Sequence, residues 1–134
     1  MFKIKLLLSI ALLAVLVTTV NAQSIKPQKM DLPEMDLSSQ VLGILNDTKG
    51  LDLNSDQKDK LSQDNSTFVD NLMKLNSSEA SEEDKKAGFL KMKNNRSKLL
   101  TSLLGNDLFK KYSKQVLKSI SPFKSKLGLA ALAF

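Results

Sequence analysis

From residue 41 onward, apolar positions fall into helical spacing. Val41, Leu42 and Leu45 stand at i, i+1 and i+4 and predict a short helix that ends near Gly50. Leu61, Phe68, Leu72 and Leu75 follow at intervals of seven, four and three, which is one face of a helix over about 55–75. Phe89, Met92, Leu99, Leu100 and Leu103 make a second long face, interrupted by Arg96 and stopped at Gly105. A third segment, 107–120, places Leu108, Phe109, Tyr112, Val116 and Ile120 at helical spacing before Ser121-Pro122 ends or kinks it. Only a short polar link, Asn76-Ser77-Ser78, joins the two long helices, so they are expected to fold back as an antiparallel hairpin. Each would be about 30 to 36 Å long at 1.5 Å per residue. The predicted class is all-α: a long antiparallel hairpin with shorter flanking helices.

The polar residues ahead of each long helix agree with that reading. Asn54 is a favoured N-cap, Gln57 three residues on closes a capping box, and Asp56 puts negative charge in the first turn. Ser81 and Asp84 repeat the pattern, reinforced by Glu82 and Glu83. The first of these stretches has a rival reading as a calcium loop, because Asp52, Asn54 and Asp56 occupy the first three odd positions of an EF-hand. Its sixth position is Gln57 where a glycine is needed, and its twelfth is Gln63, which lacks the bidentate carboxylate. Lys58 and Lys60 put positive charge at the seventh and ninth positions. The stretch is read as a helix start, with no metal and no cofactor.

The first 22 residues have a different character. Lys3 and Lys5 precede an uncharged apolar run, and Val20-Asn21-Ala22 closes it with small residues, the layout of a secretory signal peptide. The run stops short of the roughly 20 residues that a membrane span needs, and the cleavage pattern follows at once. Export is expected, to the periplasm or outside the cell, with cleavage near Ala22. Residues 23–40, with Pro27 and Pro33 and no clear periodicity, read as an extended arm, and 41–134 as a single helical domain.

Composition narrows the chemistry. The chain has no cysteine and no histidine, which excludes disulfides and Cys-ligated zinc and removes the commonest metal ligand and general base. It also has no tryptophan and one tyrosine, a poor supply for the aromatic-lined clefts in which carboxylate pairs work. The expectation is that the protein is not an enzyme. Charge is polarised: residues 23–84 hold 6 basic and 13 acidic side chains, whereas 85–134 hold 12 basic and 1 acidic. A basic half suits an anionic membrane surface, an acidic polymer or an unfolded client, but export and the lack of a recognised motif argue against nucleic acid. The bland alternative is a solvated lysine face whose charges pair within or between chains. Four Asn-x-Ser/Thr sequons, at Asn46, Asn65, Asn76 and Asn95, read as by-products of an Asn- and Ser-rich chain.

Two stretches resemble a known family. Leu53-Asn54-Ser55-Asp56-Gln57 resembles the LTxxQ motif of the Spy and CpxP type of exported helical proteins. The later Leu104-Gly105-Asn106-Asp107-Leu108-Phe109-Lys110-Lys111-Tyr112 is similar to the family's second copy, with the helical hairpin between the two. Asn54 replaces the motif's Thr in the first copy, and Gly105 and Leu108 replace its Thr and Gln in the second. The resemblance implies an ATP-independent chaperone or envelope-stress protein, a curved helical homodimer holding unfolded or envelope proteins on its concave face. In such a cradle Lys91, Lys98, Lys110, Lys111 and Lys114 would attract clients, while Phe89, Met92 and Phe109 would offer loose apolar contacts. The same spacing gives Phe89 and Phe109 a second reading as core. The alternative function is a helical structural or adaptor protein whose basic C-terminal half grips a membrane or an anionic polymer. The apolar end, 127–134, is expected to be buried, over the hairpin or across a dimer.

Overall fold

Helix α1, Leu32–Leu45, opens the part of the chain that the computed structural model describes, residues 32–134. The expected signal peptide and residues 23–31 of the expected arm lie outside the described residues. From Leu32 the stretch read as an extended arm is instead helical. Pro33 stands in the first turn of α1, where a missing N–H breaks no hydrogen bond, so it starts the helix and does not forbid it. Leu37, four residues before Val41 and eight before Leu45, belongs to the same apolar stripe, and all three join the core.

The other helices are α2, Ser55–Ser77; α3, Glu82–Leu104; and α4, Asn106–Ile120. Residues 35–134 form one compact unit, all-α, with no strand among the described residues. At the start of α2 the capping box is formed in both directions. Asn54 Oδ1 accepts from the Gln57 N–H at 2.8 Å, and Gln57 Oε1 accepts from the Asn54 N–H at 3.2 Å. The Asn54 oxygen therefore satisfies an N–H that the helix cannot, and Asn54→Ala should cost about 1 kcal/mol in a urea melt. At α3 the box is half made: Ser81 Oγ accepts from the Asp84 N–H at 3.1 Å, and the reciprocal bond is not formed.

Contacts between α2 and α3 pair early residues of one with late residues of the other, as antiparallel neighbours require. The Gln57 side-chain amide donates to the Leu103 carbonyl at 3.2 Å, Arg96 pairs with Asp64 at 2.6 Å, and Lys85 Nζ donates to the Asn76 carbonyl at 2.9 Å. Each helix has 23 residues, about 34 Å of length. Near the turn, a Cβ on Gly88 would meet Leu75 Cδ2 at 2.6 Å, so the glycine lets α3 settle against that leucine. Gly105, at φ +81°, is the only residue between α3 and α4, and its left-handed backbone reverses the chain in one step.

The core gathers Leu61, Phe68, Val69 and Leu72 of α2, Phe89, Leu100 and Leu104 of α3, and Tyr112, Val116 and Ile120 of α4. One face of α3 departs from expectation: Leu99 is 48% exposed, while Leu104 is buried. The buried stripe runs 89, 92, 96, 100 and 104, and Leu99 lies one position, about 100°, away from it. After α4 the chain makes a 3₁₀ turn, Ser121–Phe123, one α turn, Lys124–Leu127, and a second 3₁₀ stretch, Gly128–Ala133. This C-terminal segment lies over α2 and α3 and buries Leu127, Ala130 and Ala133. Phe134 meets Phe68 of α2 edge to face, with ring centroids 5.4 Å apart. The apolar end is thus covered by its own chain.

Candidate binding groove

A buried polar knot fixes the helices around the groove. Asn65, fully buried on α2, donates from Nδ2 to the Leu45 carbonyl at 2.9 Å and to Asn46 Oδ1 at 2.8 Å. The Tyr112 hydroxyl of α4 donates to the same Leu45 carbonyl at 2.8 Å. Leu45 ends α1, so its carbonyl has no partner within the helix, and α2 and α4 supply the cap from outside. Arg96 of α3 binds Asp64 through Nη1, and through Nη2 it donates to Asn65 Oδ1 and, at 3.3 Å, to Tyr112 Oη. Its guanidinium also lies 4.3 Å from the centre of the Phe68 ring. One arginine thereby touches α2 and α4 at once. From α4, Gln115 adds a bond to the Asp47 carbonyl at 2.9 Å, which ties down the loop after α1. No buried side-chain nitrogen or oxygen among the described residues lacks a partner.

Burial pushes the Tyr112 phenol above its ordinary value, and the nearby Arg96 charge only partly offsets this. A raised folded pKa means that the native state keeps its proton when the unfolded chain has lost it. Stability from this group is therefore complete below the ordinary phenol value, about 10, and falls as pH rises through the folded value. With no tryptophan and one tyrosine, ultraviolet absorbance of the native protein reads Tyr112 alone. Its ionisation should occur above the value found in urea, and Tyr112→Phe should flatten the alkaline decline in stability relative to wild type.

Beside this knot, α3, α4 and the chain end enclose a groove of about 460 Å³, within the range of small-ligand sites. Leu45, Leu100, Tyr112, Val116 and Ala133 form its buried floor, and Phe109, Leu117 and Phe134 its apolar walls. Leu117 is 45% exposed at the lip. Lys93 from α3 and Lys110 and Lys114 from α4 stand exposed around the opening, with the Ser97 and Ser113 hydroxyls lower down. Among the described residues no Asp or Glu side chain lines it. Among the described residues the ion pairs are Lys60–Asp56 and Arg96–Asp64, which leaves the three rim lysines without a carboxylate. The groove is equipped to hold and orient a group by apolar contact and positive charge.

The residues expected at a client surface divide. Phe109, Lys110 and Lys114 come together in this groove. Phe89 does not: it is 0% exposed and packs in the core, the second of its two readings. Met92 is half-buried against the core. Lys98 lines a wider, shallower depression of about 900 Å³ together with Lys60, Asp64 and Leu99, where the charge is mixed. Lys91 and Lys111 are exposed and line neither groove. Sequence reasoning missed Lys93 as a member of the groove, and Arg96, Asn65 and Tyr112 as members of one hydrogen-bonded knot. Arg96 was the available signal, a single charge in the middle of an apolar face, and a charge there needs a partner across the helix interface. Asn65 completes the buried stripe of α2 between Leu61 and Phe68 and so is no free sequon; its amide is spent on the core.

No protein-family model matches the chain, and neither a curated protein nor a solved structure matches it.

Proposed function

We propose that the protein is an exported, non-catalytic helical binding protein that holds unfolded or partner polypeptides without ATP. The carrying observation is that Phe109, Lys110 and Lys114 share one apolar groove whose rim lysines have no carboxylate partner among the described residues. Apolar side chains of a client enter the groove and its acidic residues meet the rim. Such a surface favours fast capture, since charge raises the encounter rate, and tolerant contacts, since Phe and Leu walls accept varied shapes. The resemblance to the Spy and CpxP type supports the same reading, including assembly as a homodimer, which sedimentation velocity tests. In light scattering, the protein without ATP should delay aggregation of chemically denatured clients at near-stoichiometric ratios. Reversing Lys110 and Lys114 to Glu should remove most of that delay at low salt, and raised salt should weaken early capture of the native protein, because exposed charges are screened over about 10 Å at 0.1 M. No protection of several unrelated clients would refute the proposal.

A second reading has its own observation. Lys110, Lys111, Lys114 and Lys118 are all exposed on α4, Lys124 and Lys126 follow, and no acidic residue occurs after Asp107. That face suits an anionic membrane surface, on which each lysine contributes about 1 kcal/mol. Flotation with vesicles containing anionic lipid tests it: tight, salt-sensitive binding without client protection would favour this adaptor role.

A further inference from the structure

We infer that the groove between α3 and α4 also binds a small ligand, a single-chain amphiphile with an anionic head, carboxylate or phosphate. This rests on the groove being the protein's binding surface, as proposed above, but not on a polypeptide being what fills it. The floor is a continuous apolar surface that ends against Ala133 and Phe134, and no acidic side chain enters it. Burial of an alkyl chain there gains the ordinary hydrophobic stabilisation, in proportion to the methylenes removed from water.

The rim specifies the head. Lys110 and Lys114 are four residues apart on α4, where like charges repel across one turn, and Lys93 faces them from α3. An anion seated among them relieves that repulsion and supplies the partner that no described residue does. Arg96 is not available for the head, because its guanidinium is committed to Asp64, Asn65 and Phe68. The ligand is thus read by a ring of lysines, which accept carboxylate and phosphate alike as point charges. The wider depression on the α2–α3 face offers no such match, since Asp64 stands beside its lysines.

The test uses the purified protein and isothermal calorimetry below micelle-forming concentrations, with dodecanoate, dodecyl phosphate and the uncharged dodecyl maltoside. Dodecanoate or dodecyl phosphate should bind with one site, and whichever binds more tightly identifies the preferred head. The maltoside should bind at least about tenfold more weakly. Changing Lys110 and Lys114 together to Gln should weaken the anionic ligands about tenfold and leave the maltoside unchanged. Ser113→Trp should fill the groove and abolish binding, with circular dichroism confirming that the helices remain; the lysine variant, altered only at exposed positions, serves independently if it does not fold. Equal affinity for all three compounds, binding of inorganic phosphate as tight as that of dodecyl phosphate, or no binding to the native protein would each overturn the inference. Light scattering with denatured clients separates the two readings: dodecanoate binding without client protection sinks the proposed function alone, and the reverse sinks the inference alone.

Discussion

Asn65→Ala is expected to be among the most damaging single substitutions in the protein, lowering stability by about 3 kcal/mol or more. Asn65 is fully buried and joins the end of α1, the loop after it, Arg96 and, at 3.3 Å, the Tyr112 hydroxyl. Its loss removes one of two donors to the Leu45 carbonyl, frees Asn46 and leaves Arg96 Nη2 with only the longer bond to Tyr112. A buried group left unsatisfied costs about 1 to 3 kcal/mol, more when it is charged. For a domain of this size, a loss of 3 kcal/mol corresponds to a fall in Tm of roughly 12 °C or more. Asn65→Leu separates the causes, because it keeps the branched four-heavy-atom side chain and removes the hydrogen bonds. It should be destabilised nearly as much. A leucine variant as stable as wild type would show that the knot contributes no net stability and serves only to select one packing, a role open to buried polar groups.

Removal of residues 127–134 should be comparably severe. Leu127 is fully buried, and burial of a leucine side chain contributes about 1.5 to 3 kcal/mol. Phe134 adds an edge-to-face contact with Phe68 of about 0.5 to 1.5 kcal/mol. Truncation also uncovers the apolar surface of α2 and α3 that the segment covers, so the shortened chain should lose stability on the order of 4 kcal/mol and bind more hydrophobic dye than the intact protein does. Thermal melts followed by circular dichroism measure the first effect and dye fluorescence the second. A truncated protein with unchanged Tm and no gain in dye binding over the intact protein would mean that the segment contributes nothing where it lies, and would favour its use at a membrane.

The helices were legible because their signals are local. Caps at Asn54 and Ser81, the punctuation at Gly105 and the spacing from Leu61 to Ile120 each act within a few residues, and the structure follows them closely. The start of α1 was not legible, since Pro33 reads as a breaker unless the helix is known to begin there, and Leu37 then seems isolated from the stripe it shares with Val41 and Leu45. Periodicity also could not rank positions within a face. Leu99 and Leu100 are equally apolar, yet only one faces the core, and the choice is made by Arg96 and Leu104 on the same stripe. The groove was half legible. Phe109, Lys110 and Lys114, expected at a client surface through the family resemblance, all lie on α4 and line it, whereas Lys93 joins them only because α3 and α4 meet across Gly105. The knot was illegible for the same reason, as its four main members come from α2, α3 and α4 and converge on the end of α1.

Partner binding in the groove between α3 and α4, as proposed above, has a residue-level signature that chemical-shift mapping of the isotopically labelled protein with a denatured client reads. Perturbed amides should concentrate in residues 93–100 and 109–117 and at the chain end, around the groove lining. Perturbations centred instead on the depression around Lys60, Lys98 and Leu99, or spread evenly along the exposed lysines, would contradict it.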